Sequence, residues 1–201
     1  MGSSFTVDDL IALAPPPEWR VDAGSPGAWG RIEAELRTPL PEDYKLFINV
    51  YGTGIFNDLF FTFNPFAWND GMNLLWQSGA PQCFEEDAEP GRVHRLGSRL
   101  EHHESRRAEF PDSTPTFPPY PEPGGLLPLG GDTNGGAAYW LTEGRPDDWH
   151  LILVHDDFDF ERHPMPLVEF LVRWLSGDLP ECFGGVGSAF LNATDPVFRT
   201  S

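Results

Sequence analysis

Lysine is nearly missing from this chain: Lys45 stands alone beside twelve arginines, and these 13 cations face 31 carboxylates. The net charge of -18 argues against functions that need a positive surface. A phosphate-backbone binder gains affinity by setting Lys and Arg against phosphates and releasing counterions, so autonomous nucleic-acid binding is disfavoured. An anionic membrane surface is disfavoured by the same sign. Cysteine is scarce too. Cys83 and Cys182 are the only two and neither has a CxxC partner. Free buried thiols are therefore expected, with a single bridge between them as the alternative. No apolar run reaches the roughly 18 residues of a membrane span. The opening MGSSFTVDDLIALA lacks the basic region and cleavage pattern of a signal peptide. A cytoplasmic protein is expected.

What the chain does hold is aromatic: 16 Phe and 7 Trp among 201 residues, 40% of them hydrophobic. That suits one packed core without a disulfide or metal staple. Gly and Pro, at 21 each, point to many turns and irregular connections. A short helix is expected from Thr6 to Ala14, and a second after Ser25-Pro26 (Ser as N-cap), with Trp29, Ile32 and Leu36 as its apolar stripe. A third begins at Leu40-Pro41. Tyr44, Phe47, Ile48 and Tyr51 form its buried face and Gly52 its end. Ile55 to Phe63 reads as a strand or hairpin arm. Within the ambiguous stretch 64–92, Met72 to Gln77 suits one or two helical turns. Val93 to Phe110 reads as helix. The proline tract 111–125 is extended, and Phe117 and Tyr120 should hold it against the domain. Strands are expected at Leu126–Leu129, Ala137–Thr142, Trp149–His155 and around 157–161, with a tight turn at Asn134-Gly135. A last helix follows Pro164 or Pro166, and 178–201 reads as irregular. Helices before and after a mainly antiparallel sheet make a single α+β domain over 1–201, with a core at 26–177, a variable insertion at about 64–125 and a tail.

Motifs for chemistry fail one by one. GGDTNGG (130–136) lacks the Lys-Ser/Thr of a phosphate loop, and a hairpin turn explains it. GTGIFN (52–57) lacks the third glycine of a dinucleotide fingerprint. There is no Gly-x-Ser-x-Gly elbow, and His102-His103-Glu104 is not the spaced HExxH of a zinc helix. His155 and His163, with Asp156, Asp157 and Asp159 between them, read as a solvated acidic edge. No catalytic residue, cofactor site or metal site is assigned. Trp29, Trp140, Trp149 and Trp174 belong to the core by their positions. Trp68 and Trp76, in the Gly/Pro-broken segment, are candidate interface anchors.

Four segments, in order, then carry a resemblance. They are Trp29 with Ile32-Glu33; Leu40-Pro41-Glu42-Asp43-Tyr44-Lys45-Leu46-Phe47 leading to Tyr51-Gly52-Thr53-Gly54-Ile55-Phe56; Gly124 to Pro128 with Gly131-Asp132-Thr133-Asn134-Gly135 and Tyr139-Trp140; and Pro166 to Leu171 running to Gly177. In this order the chain resembles the SUKH superfamily, which contains the SMI/KNR cell-wall regulators and many bacterial immunity proteins. The resemblance implies a non-enzymatic α+β binding domain, and in its bacterial branch a protein that neutralises a cognate, often nucleic-acid-directed, toxin by stoichiometric occlusion. It carries over no catalytic residue. The long 64–125 insertion and the 178–201 tail depart from the family pattern. A regulatory scaffold that binds several partners is the second reading, and a small hydrolase with a carboxylate pair the third.

A basic toxin is the expected partner, because an acidic inhibitor mimics phosphate and speeds encounter. Residues 126–164 hold eight acids and two arginines, a net of -6 and the densest such block. The partner surface is accordingly expected on Glu143, Asp147, Asp148, Asp156, Asp157, Asp159 and Glu161, flanking the strand Trp149–His155. Alternation would set Phe158 and Phe160 on one side of 157–161 and the carboxylates on the other.

Overall fold

Aromatic spacing decides the helical layer. Tyr44, Phe47, Ile48 and Tyr51 recur at 0, 3, 4 and 7, and all four are buried along one helix. The computed structural model describes residues 5–25, 27–79, 117–118, 120–154, 160–179, 182 and 196–200. Its helices are α1 (Val7–Leu13), α2 (Trp29–Leu36), α3 (Glu42–Tyr51), α4 (Leu74–Ser78) and α5 (Leu167–Leu175). Its strands are β1 (Gly54–Phe56), β2 (Phe60–Thr62), β3 (Leu126–Asp132), β4 (Ala137–Leu141), β5 (His150–Val154), β6 (Phe160–His163) and β7 (Phe198–Thr200). They form one antiparallel sheet in the order β6-β5-β4-β3-β2-β1-β7. The fold is α+β, as the sequence implies.

Register divides the sheet into two faces. Leu127 lies opposite Trp140, and Trp140 opposite Leu151, on the face that meets the helices. There Tyr44 packs edge-on to Trp140 at 4.8 Å, and α5 presents Leu167, Val168, Phe170, Leu171, Trp174 and Leu175. Leu126, Tyr139, Leu141 and Ile152 form a second apolar cluster on the other face, and Phe117 and Phe160 pack against it. Leu127 and Leu129, two residues apart, both face the helix-side cluster, and a register shift between Pro128 and Gly130 then sets Gly130 opposite Ala138 of the same cluster.

Acids hold the helix ends, one from within the same turn and two from far along the chain. Thr6 donates its N–H and hydroxyl to Asp9, closing the first turn of α1. Asp147 accepts the N–H of Glu42 (2.9 Å) at the start of α3. Asp43, within α3, accepts the N–H of Val168 (2.9 Å) at the start of α5. Burial pushes the Asp43 carboxyl above its ordinary range, and the N–H groups of Val168 and Tyr44 oppose that shift. The single lysine is used internally as well: Lys45 binds Glu33 of α2 at 3.0 Å and pairs with Glu42.

Several sequence expectations are corrected. The second helix begins at Trp29, not at Ser25-Pro26, because the Ser25 carbonyl is spent on a turn to the Ala28 N–H (3.0 Å). Ile55–Phe63 is a whole hairpin: Asn57 and Asp58 both take positive φ (50° and 54°), the left-handed pair that matches strand twist. The first middle strand runs on from Leu129 to Asp132. The tail is not wholly irregular, since β7 pairs with β1. Phe198 anchors it, 4.8 Å from Phe56 and 5.0 Å from Tyr51. The helix expected at 93–110 lies outside the described residues.

Candidate functional site

Two tryptophans stand out of this molecule, and the loops that carry them are bonded to each other. Trp68 and Trp19 are each 81% exposed. Trp68 belongs to the segment between β2 and α4, and Trp19 to the one between α1 and α2. Asn64 joins them. Its fully buried amide donates to the Asp22 carbonyl (3.0 Å) and to Thr53 Oγ1 (2.9 Å), while its oxygen accepts the N–H of Phe66 (2.9 Å). Thr53 in turn donates to the Asp22 carboxylate at 3.1 Å. Asn73 closes the other end of the loop. Its oxygen caps α4 by accepting from Leu75 and Trp76, and its amide donates to the Ala67 carbonyl at 2.7 Å.

Beneath the tips the packing is aromatic. Phe66 meets Trp29 edge-on at 4.9 Å, and the Trp29 indole donates to Asn49 (3.3 Å), whose carbonyl accepts from Arg20 (2.9 Å). Trp68 is thus an exposed ring on a backbone fixed before any partner arrives, which lowers the ordering cost of binding. Exposed acids adjoin both rings in the chain: Glu18 beside Trp19, and Asp70 two residues after Trp68. Sequence reading singled out Trp68 but missed Trp19. The only signal for Trp19 was an indole two residues after Pro17, with no apolar periodicity to bury it.

Trp76, the second candidate anchor, lies on α4 and is half-buried. Among the described residues the acidic candidates make different contacts. Glu143 is exposed and pairs with Arg162 at 3.4 Å. Asp147 caps α3 and also approaches Arg145 at 3.8 Å. Asp148 is exposed on the short 3-10 turn before β5. Glu161 faces Leu153 on the helix side of the sheet, whereas Phe160 faces Val154 on the other. Ring and carboxylate thus part to opposite sides at 160 and 161. Asp156, Asp157 and Asp159 lie outside the described residues, as do His155, Phe158 and Cys83.

The glycine-rich turn is explained locally. Asp132 accepts the N–H groups of Asn134 (2.7 Å) and Gly136 (3.0 Å) and so shapes the β3–β4 turn, where Gly135 takes φ 106°. A side chain at Gly136 would collide with that carboxylate.

Cys182 is a free, buried thiol beside His163 and Glu161. Their arrangement does not suit a nucleophile relay. One ring nitrogen, His163 Nε2, lies 2.9 Å from Glu161 Oε2 and 3.6 Å from Cys182 Sγ. A relay needs opposite nitrogens for base and orienter. Burial, reinforced by the Glu161 charge, pushes the thiol well above its ordinary range and keeps it protonated.

Among the helices of the described residues none is long and apolar enough to cross a membrane. No protein-family model, curated protein or solved structure matches the chain.

Proposed function

We propose that this chain is a non-catalytic binding protein that engages a basic protein partner through the Trp68 loop, and that it acts as an immunity protein of the SUKH type. The exposed Trp68 ring on its asparagine-pinned loop carries the reading. Tryptophan is enriched among binding hot spots, and a large ring exposed to water on a pinned loop has no role in this chain's own core. The charge of -18 complements a cation-rich partner and would speed its encounter. Glu143 and Asp148 supply part of that charge, and Glu18 and Asp70 the part nearest the rings in sequence. Asp147 and Glu161 serve internal contacts first.

The scaffold reading draws on the proline tract, yet the aromatics of that tract are engaged within the domain. Phe117 packs on Phe160, and the Tyr120 hydroxyl donates to the Leu36 carbonyl.

Co-expression with the toxin encoded beside this gene tests the proposal. The wild-type chain should spare the cells from that toxin and not from unrelated ones. Trp68→Ala should abolish protection while leaving the thermal midpoint unchanged, because the exposed ring contributes little to folding. Loss of a central tryptophan anchor weakens binding by about 2–4 kcal/mol, roughly 30- to 1000-fold in Kd. Failure of the wild type to protect, or full protection by Trp68→Ala, refutes the reading.

A further inference from the structure

Alternate positions of an edge strand place two metal-ligating side chains on one face, and Glu161 and His163 occupy them on β6. Both turn toward the helices, opposite Leu153 and Leu151. Beyond α5 the Cys182 N–H reaches the Leu179 carbonyl at 3.3 Å. The Cys182 thiol lies against the pair. The three ligand atoms, a carboxylate oxygen, an imidazole nitrogen and a sulfur, lie within 4.8 Å of one another.

We propose that Glu161, His163 and Cys182 form a binding site for a divalent cation of the zinc class. The separations fit a tetrahedral ion. With metal–nitrogen bonds of about 2.0–2.1 Å and metal–sulfur bonds of about 2.3 Å, the nitrogen–sulfur edge of a tetrahedron is about 3.6 Å. Cys182 Sγ and His163 Nε2 already stand 3.6 Å apart. The nitrogen–oxygen edge is about 3.4 Å, so Glu161 Oε2, now 2.9 Å from Nε2, would move out by roughly half an ångström. That is a small rotation of a flexible side chain on an edge strand.

Donor chemistry narrows the ion. Magnesium and calcium take oxygen ligands, whereas a mixed sulfur, nitrogen and oxygen set suits zinc and its borderline neighbours. The Cys182 side is closed at 2% exposure, while the Glu161 and His163 side chains keep 24% and 12%. Water can therefore take the fourth position. An ion there would tie β6, at the edge of the sheet, to the chain beyond α5.

Chelator-treated full-length protein titrated with zinc alone, and with cobalt as a spectroscopic substitute, tests the site. The expected result is saturable binding of one zinc per chain, a rise in thermal midpoint with zinc concentration, and a cobalt–thiolate charge-transfer absorption. Cys182→Ser should remove that absorption and Cys83→Ser should keep it. His163→Gln and Glu161→Gln should each weaken zinc by about tenfold or more, each 1.4 kcal/mol being one decade. Both lie on a partly exposed edge strand, so they carry the test if Cys182→Ser does not fold. Absence of saturable binding overturns the proposal. So does an absorption that follows Cys83, or zinc affinity unchanged in both glutamine variants.

Discussion

Replacing Asn64 by Ala should expose how the Trp68 loop is held. The side chain is fully buried and makes three hydrogen bonds, to the Asp22 carbonyl, Thr53 Oγ1 and the Phe66 N–H, all between 2.9 and 3.0 Å. A net value of about 1 kcal/mol for each gives a loss of about 3 kcal/mol. The partners left behind are themselves half-buried or buried, so the loss should not fall below that sum by much. In urea the midpoint should drop at constant m-value, the signature of lost stability without a change in exposed surface. Hydrogen exchange should quicken over residues 64–73, because the same side chain bonds this loop to the one carrying Trp19. Asn64→Asp keeps the acceptor for Phe66 but loses both donors and faces Asp22 with a second acid. It should cost at least as much. An Asn64→Ala protein destabilised by less than about 1 kcal/mol, with exchange over 64–73 unchanged, would refute the claim that this residue sets the loop.

Phe47→Ala, which empties a site bounded by Tyr51 at 5.1 Å and Phe56 at 6.0 Å, should cost about 3–5 kcal/mol by chemical denaturation; a loss under 1.5 would mean the aromatic cluster collapses onto the gap. His150 gives the pH dependence. Burial and then the Arg162 charge hold its pKa below the usual 6.5, against the pull of Glu143, and the Arg162 Nε–H donates to its Nδ1 at 2.8 Å. The unfolded chain then binds the proton more readily than the folded one, so the associated stability is present above about pH 6.5 and lost as pH falls through the lower folded value. His150→Gln should flatten that segment of the stability profile; an unchanged slope would refute the assignment.

The sequence alone determined the buried faces of α3 and α5. Tyr44, Phe47, Ile48 and Tyr51, or Val168, Leu171, Val172 and Leu175, repeat at helical spacing, and burying such a stripe is the main way a short helix gains stability. It also determined the β3–β4 turn, since Asn134-Gly135 needs no distant partner to bend. The tertiary structure decided what short segments and single polar side chains do. Three-residue β7 has no pattern of its own and exists because Phe198 docks among Phe47, Tyr51 and Phe56. Asp43 reads in sequence as a first-turn acid of its own helix, and Asp147 and Glu161 read like Glu143 and Asp148. Asp43 and Asp147 cap helices more than a hundred residues away, and Glu161 turns in toward a histidine and a thiol. Charge patterning carries no information on which carboxylate meets an orphaned helix N–H, because that contact forms only when distant chain segments pack. Trp68 was legible as an indole in broken chain. Its rigidity was not, because Asn64 and Asn73 hold it through bonds that reach back to Asp22 and Thr53 and across to Ala67.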